Sequence, residues 1–529
     1  MVSPPLHGWP PHRRHAKRRL LATVGWMLLA AGPALASAPP TVTIDAGTIA
    51  GRDLPAGVRA YLGIPFAAPP VAALRWREPQ PVAPWTGTRD ATAFAPDCQQ
   101  VVRHDRPAPA MREDCLYLNV WMPPGLRGSK HPVIFYIYGG GFVFGSSAEP
   151  RVDGASMARK GIVFVSVNYR VGALGFLAHP ELSAESPHKV SGNYGLLDQI
   201  AGLRWVQRNV ARFGGDPANV TIMGHSAGSM SVGYLQASPL THGLIAKGVA
   251  LSGSPFFKGT LGVDVSLRSA EANGLHFQQT AGAHSLAELR ALPAATIAAT
   301  AHDEPSHNPV IDGYVLPADT GAIFAAGRQN DVPVMIGFTS DESFTPIGQA
   351  TSLADYRERA RKLFGEQAGA FLALYPATTD AEARRASIDA GLDQGIGNMD
   401  KGWAVGQAAM GKAPVYVFEF SRPPPPVMTP SGTVQPSVYH GADIPYWLGT
   451  LDRPPVTSWK AYDRTLGAAM SDALVRFVTT GSPAGSGMAW PAFDPAHPQV
   501  LELGDAVKPR DWPGYARMDF FDAFSPPAR

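Results

Sequence analysis

The chain has 529 residues, 45% of them hydrophobic and 17% charged, with 55 glycines, 51 prolines and no biased tract. This is the composition of a compact globular protein, and it excludes a disordered or fibrous one. The formal charge of +2 owes its sign to Arg13, Arg14, Lys17, Arg18 and Arg19, which precede an apolar run from Leu20 to Leu35 and the small-residue site Ala34-Leu35-Ala36.

That layout predicts a secretory leader, residues 1–36, cleaved after Ala36; its apolar run falls short of the roughly 20 residues that span a bilayer. Arg18-Arg19 followed by Leu20-Leu21 also fits a twin-arginine signal loosely, which leaves the export route open. Removing five basic and no acidic side chains takes the charge from +2 to −3. No Lys/Arg cluster then remains to follow a phosphate backbone, so nucleic acid is not an expected partner. Without a second long apolar stretch, no stable membrane span is expected once the leader is gone. No residue pattern specifies an oligomeric state.

The two cysteines, Cys98 and Cys115, lie close enough to close one short loop, and in an exported chain they are read as a disulfide. On the chain-entropy model such a loop stabilises the fold by about 3 kcal/mol. No His/Cys spacing completes a metal-ligand set around them.

Further along, short β-branched runs recur at Val133–Ile137, Ile162–Val167, Val220–Met223, Val249–Leu251, Val332–Ile336 and Val415–Phe420. Each is apolar on both faces, the pattern of a strand buried between helices. Helical periodicity is clear over Leu196–Asn209, with Leu196, Leu197, Ile200, Leu203 and Val206 on one face, and again over Leu466–Phe477. The fold class is therefore α/β, a mostly parallel sheet covered by helices with inserted loops. The strands spread from 133 to 420 without an obvious linker, so 37–529 is read as one domain. Pro423–Pro426 is read as a surface loop.

Gly224-His225-Ser226-Ala227-Gly228 has the G-x-S-x-G spacing of a strand-to-helix turn that exposes a serine hydroxyl. The spacing alone is weak, but Val220–Met223 enters the turn as a strand and Ala227 leaves it as a helix. A free hydroxyl is a poor nucleophile and requires a base, a group that orients the base, and donors for the developing oxyanion. Tyr138-Gly139-Gly140-Gly141-Phe142, directly after a strand, can present such donors, because glycine backbones approach a substrate without side-chain obstruction. The N–H of Ala227, first in its helix, is unused by the helix ladder and is another.

These residues resemble the type-B carboxylesterase family, which includes the cholinesterases, on the α/β-hydrolase fold. The likeness runs through Tyr61-Leu62-Gly63-Ile64-Pro65, Leu74-Arg75-Trp76 and Glu113-Asp114-Cys115-Leu116-Tyr117-Leu118-Asn119. It continues through Asn168-Tyr169-Arg170, Gly192-Asn193-Tyr194-Gly195-Leu196-Leu197-Asp198-Gln199 and Phe213-Gly214-Gly215-Asp216-Pro217. The resemblance implies an order of nucleophile, acid, histidine. It selects Glu342 in Gly337-Phe338-Thr339-Ser340-Asp341-Glu342, with Asp341 as the rival, and His440 in Val438-Tyr439-His440-Gly441. It implies Gly140, Gly141 and Ala227 as the oxyanion hole, and a buried ion pair between Glu113 and Arg170.

Two departures bear on substrate. His225 stands where the family usually has a glutamate, and the segment between Cys98 and Cys115 contains no Trp, Tyr or Phe to hold a quaternary ammonium. Both point to neutral esters, with His225 tuning the site. Phe142, Phe256, Phe257, Phe338 and Trp447 are the expected group from which pocket walls are drawn.

The reading is an exported, periplasmic or secreted, serine carboxylesterase that takes a small-molecule ester through an acyl-enzyme on Ser226 and uses no metal or organic cofactor. A hydrolase of lactones, thioesters, amides or polymer esters, and a catalytically silent binding protein on the same scaffold, remain the alternatives.

Overall fold

The computed structural model describes residues 38–101, 110–125, 130–256, 266–301, 308–426, 437–453, 458–485 and 487–524. The expected leader and Phe257 lie outside the described residues. Numbered within the central sheet, the strands are β1 (Arg52–Asp53), β2 (Arg59–Pro65), β3 (Tyr117–Met122), β4 (His131–Ile137), β5 (Val163–Val167) and β6 (Gly215–His225). They continue as β7 (Lys247–Leu251), β8 (Val334–Thr339), β9 (Val415–Phe420), β10 (Gln499–Leu503) and β11 (Val507–Asp511).

The six apolar runs correspond to β4 through β9. In β4, Val133 to Ile137 are all at most 2% exposed, the burial on both faces expected where helices cover each side of a parallel sheet. The sheet order is β11-β10-β9-β8-β7-β6-β4-β5-β3-β2-β1. Neighbours from β5 to β10 run parallel, and the outer pairings are antiparallel.

The chain passes from β4 to β5 on one flank, then crosses to β6 on the other, so the strand order reverses at β4. Such a reversal opens a crevice beyond the carboxyl ends of the two diverging strands. Ile137 pairs with Gly224, which brings β4 and β6 to an end level with one another. The glycine run after β4 and the serine turn after β6 therefore share that crevice.

Five helices matter to the site: α1 (Tyr194–Asn209), α2 (Ala227–Ala237), α3 (Ile396–Met410), α4 (Ile444–Leu448) and α5 (Ala461–Thr480). α1 buries the predicted stripe of Leu196, Leu197, Ile200, Leu203 and Val206. α5 extends the predicted Leu466–Phe477 in both directions. Its added first turn is held by Asp463, whose carboxylate accepts the N–H of Lys460 at 2.9 Å. Among the described residues no helix is long and apolar enough to cross a membrane.

Cys98 and Cys115 form a disulfide, and both are buried. The expected ion pair between Glu113 and Arg170 is not formed. Arg75 takes Glu113 instead, pairing through Nε and, at 2.7 Å, through Nη2, while its Nη1 donates to the carbonyls of Arg290 and Leu292. Arg170 leaves β5 facing α1, where Asp198 accepts its backbone N–H, its Nε and its Nη2 at 3.0, 2.8 and 2.7 Å. The fork of the guanidinium matches the nearest fully buried carboxylate, and that carboxylate lies on α1. Pro423–Pro426 is only partly a surface loop, since Pro424 and Pro425 pack inward.

Candidate active site

Ser226 is the single residue between β6 and α2, with φ 57° and ψ −123°. A non-glycine residue held in that region stores on the order of 1–3 kcal/mol, which the surroundings must overdetermine. They do so here through two backbone bonds: Ser226 N–H donates to Leu251 O at 2.8 Å, and Met230 N–H donates to Ser226 O at 2.9 Å. The flanking glycines have a steric cause. A Cβ on Gly224 would lie 2.2 Å from the carbonyl carbon of Gly228, and one on Gly228 would lie 2.1 Å from Ile137 O. A larger residue at either position would push strand and helix apart and open the turn.

The glycine run comes against this turn: a Cβ on Gly139 would sit 2.3 Å from His225 O. Gly140 O accepts the N–H groups of Val143 and Phe144 at 3.1 and 3.2 Å, folding the run into a tight loop. The N–H groups of Gly140, Gly141 and Ala227 donate to no protein acceptor among the described residues. Three backbone donors at one crevice can stabilise negative charge that develops there. The loop is braced by Tyr138 and Tyr169, which stack at 4.4 Å and exchange hydroxyl-to-carbonyl bonds of 2.8 and 2.9 Å.

Glu342 follows β8 and is buried. One carboxylate oxygen accepts Thr339 N–H at 2.9 Å, and the other lies 2.5 Å from His440 Nδ1. His440, on the excursion after β9, keeps part of its side chain exposed. Asp341, the rival acid, is engaged elsewhere. It accepts from Arg385 Nη1 at 2.7 Å and from Val438 N–H at 3.0 Å, and so ties down the loop that carries His440. Ser226 Oγ makes no hydrogen bond among the described residues. Contacts of a catalytic hydroxyl are often long at rest and tighten only with substrate bound.

His225 packs its ring 4.4 Å from that of His440. Its Nε2 is buried and without a partner, and burial, reinforced by His440 and then Arg151, holds its pKa well below the ordinary histidine value. The ring beside Ser226 is therefore neutral at neutral pH.

The expected pocket aromatics mostly belong to the core. Phe142 packs on Phe176 and Tyr234, Phe256 on Phe324 and Trp403, Phe338 on Trp512, and Trp447 on Phe418 and Trp490. Among the described residues, an aromatic that does reach solvent at the site is Phe344. It is 61% exposed and meets the His440 ring edge-on at 4.8 Å. Two further acids were not anticipated from the sequence. Asp443, at the start of α4, is fully buried, with one oxygen accepting Trp447 Nε1 at 3.1 Å and the other unpartnered. Burial, with Glu342 nearby, pushes it up to about 7. Asp400, on α3, is also buried and has neither oxygen partnered. Their signal in the sequence was slight: Asp443 is a lone carboxylate just before a short apolar helix, and Asp400 stands next to Lys401.

A parallel sheet whose order reverses at β4, with a strained serine turn at the reversal and a carboxylate–imidazole pair delivered from the strands beyond, defines an α/β-hydrolase-fold protein. The chain belongs to the carboxylesterase family, whose model matches residues 38–520, and it is a carboxylic ester hydrolase. It is 37% identical to the fumonisin B1 esterase of Sphingopyxis macrogoltabida, a match covering 85% of this chain and 84% of that protein. It is 31% identical to the para-nitrobenzyl esterase of Bacillus subtilis (strain 168), covering 85% and 92%. It is 30% identical to the human cocaine esterase, covering 93% and 92%.

Proposed function

We propose that the chain is an exported serine carboxylesterase, with residues 1–36 as its leader and 37–529 as the catalytic domain, and that it hydrolyses neutral esters through an acyl-enzyme on Ser226. His440 Nε2 takes the proton of Ser226 Oγ as the oxygen attacks the ester carbonyl carbon, and returns it to the departing alcohol. Water then attacks the acyl-enzyme with the same assistance, releasing the acid and restoring Ser226. Glu342 holds Nδ1–H, which fixes the tautomer that leaves Nε2 free to accept, and it balances the imidazolium formed on the way. The N–H groups of Gly140, Gly141 and Ala227 receive the oxyanion, each worth about 3 kcal/mol of barrier.

The observation that carries this reading is the 2.5 Å contact of His440 Nδ1 with a buried Glu342, its ring packed on the residue preceding Ser226. A neutral His225 in place of a carboxylate favours uncharged alcohol groups over cationic ones. The leader pattern and the Cys98–Cys115 disulfide support export, since disulfides persist in oxidising compartments.

The test compares mature protein with Ser226→Ala on short and long p-nitrophenyl esters, with a p-nitrobenzyl ester, fumonisin B1 and cocaine added to the panel. Turnover should fall on the order of a million-fold in the variant. Equal turnover in the two proteins would refute the nucleophile, and a clear preference for a cationic ester would refute the substrate class.

A further inference from the structure

His440 sits on the long excursion after β9, and its Nδ1 contact with Glu342 fixes only one point of the imidazole. A ring held at a single hydrogen bond still pivots about it, and a pivot carries Nε2 away from Ser226. Two aromatic side chains limit that movement. Phe344 meets the ring edge-on at 4.8 Å but is itself 61% exposed, so it is the less fixed of the two. His225 comes closer, with ring centroids 4.4 Å apart and planes inclined by 43°, which is van der Waals contact.

The His225 ring also reaches the next residue of the histidine loop. Gly441 has φ 81°, and a Cβ there would sit 3.0 Å from His225 Nε2 and 3.1 Å from its Cε1. The imidazole of His440 and the backbone of Gly441 thus rest on one side chain. That side chain is anchored where the reaction begins. His225 pairs with Leu251 at the end of β6, a Cβ on Gly139 would lie 2.3 Å from its carbonyl oxygen, and its peptide bond leads into Ser226. The contact is one of shape, because His225 Nε2 is buried with no hydrogen-bond partner among the described residues. The charged groups nearby are engaged by others: Glu342 by His440 Nδ1, Asp341 by Arg385, Arg151 by Glu149, and Asp443 by Trp447. Tyr439 keeps its proton, since burial raises its pKa.

We propose that His225 is a positioning residue that acts through His440: its ring is the wall on which the imidazole rests, and it sets the placement of that imidazole from a backbone position one peptide bond before Ser226. This rests on His440 being the base that serves Ser226. Truncating His225 leaves a gap beside His440 and frees the pivot, whereas a planar neutral group of similar size refills the gap without adding charge. A misplacement of about 1 Å between base and hydroxyl is enough to cost on the order of a hundredfold in turnover.

The test uses His225→Ala, His225→Phe and His225→Gln in the full mature chain, with kcat and KM for p-nitrophenyl butyrate measured across pH. The expectation is that His225→Ala lowers kcat by about ten- to a hundredfold with KM within about twofold. Its acid limb should stay within about half a unit of wild type, since one neutral group replaces another. Refilling the gap, with phenylalanine or with glutamine, should bring kcat back to within about fivefold. The proposal is overturned if His225→Ala keeps wild-type kcat, if its loss lies in KM, if its acid limb moves by about a unit or more, or if neither refilling variant recovers turnover. Should His225→Ala not fold, His225→Asn, which also vacates much of the ring's place, is read in its stead. His440→Ala, assayed beside them, separates the two readings. Full activity there would remove the base and the wall together, whereas an inactive His440→Ala beside an unimpaired His225→Ala would sink the wall alone.

Discussion

Replacing Glu342 by glutamine tests the acid–histidine pair with almost no change in volume. The glutamine carbonyl can still accept Thr339 N–H, the bond Glu342 makes at 2.9 Å, so the backbone turn after β8 should survive. The other arm then presents NH2 where a carboxylate oxygen stood 2.5 Å from His440 Nδ1. Two donors cannot face each other at that distance, so the imidazole must move its proton to Nε2, and Nε2 can no longer accept from Ser226. The buried counter-charge for the imidazolium is lost as well, and no solvent screens its absence because the Glu342 side chain is fully buried. Loss of a correct tautomer of this kind costs about 10⁴ in kcat, equivalent to roughly 5.5 kcal/mol of barrier. KM should barely change, since Glu342 touches no substrate. The assay is steady-state hydrolysis of p-nitrophenyl butyrate, with thermal unfolding as the control for fold, and Asp341→Asn alongside to separate loop tethering from catalysis. A Glu342→Gln enzyme with kcat within tenfold of wild type would refute the reasoning.

Asp443→Asn should keep the bond to Trp447 while removing a buried ionisation. With a folded-state pKa of about 7 against about 3.9 when unfolded, Asp443 holds a proton in the native state that the unfolded chain has released. Its contribution to stability therefore falls as pH rises from about 4 to about 7 and stays lost above that. Denaturation of variant and wild type at pH 5 and pH 8 should show the variant gaining, relative to wild type, by roughly 2–3 kcal/mol at most on going to pH 8; no gain would contradict it. Asp198→Ala strands the Arg170 guanidinium in the core and should cost about 3–5 kcal/mol, read as a large drop in Tm, whereas a loss within 1 kcal/mol would show the pair to be dispensable. Phe344→Ala removes the exposed ring beside His440 and should raise KM several-fold for esters of bulky alcohols while sparing acetates of small ones, with an equal effect on both counting against a substrate-facing role.

The interior of the sheet was legible because its strands are buried on both faces and leave uninterrupted apolar runs, as in Val133–Ile137 and Val415–Phe420. The margins were not. β11, Val507-Lys508-Pro509-Arg510-Asp511, is an edge strand with a proline and three charged residues, and edge position tolerates both. At the site, Ser226 could be read from its turn, since a Cβ on Gly224 or Gly228 would fall 2.2 or 2.1 Å from neighbouring backbone atoms. Glu342 and His440 required the family resemblance, because residues 98 apart carry no local signal of meeting. Ion-pair partners were harder still. Arg75 and Arg170 are equally suitable for Glu113 by charge, and only the packing of β5 against α1 assigns Arg170 to Asp198. Pocket aromatics failed for a related reason: Phe142, Phe338 and Trp447 satisfy hydrophobicity in the core just as well as in a cleft, whereas Phe344 is recognisable only by its exposure.

The central claim is that Ser226 is the nucleophile, and active-site titration with a fluorophosphonate, followed by peptide mass spectrometry, tests it most directly. The account predicts one equivalent of adduct on Ser226, loss of esterase activity in proportion to labelling, and no adduct in Ser226→Ala. Full inactivation with the label on another residue, or ester turnover undiminished once Ser226 is completely labelled, would contradict it.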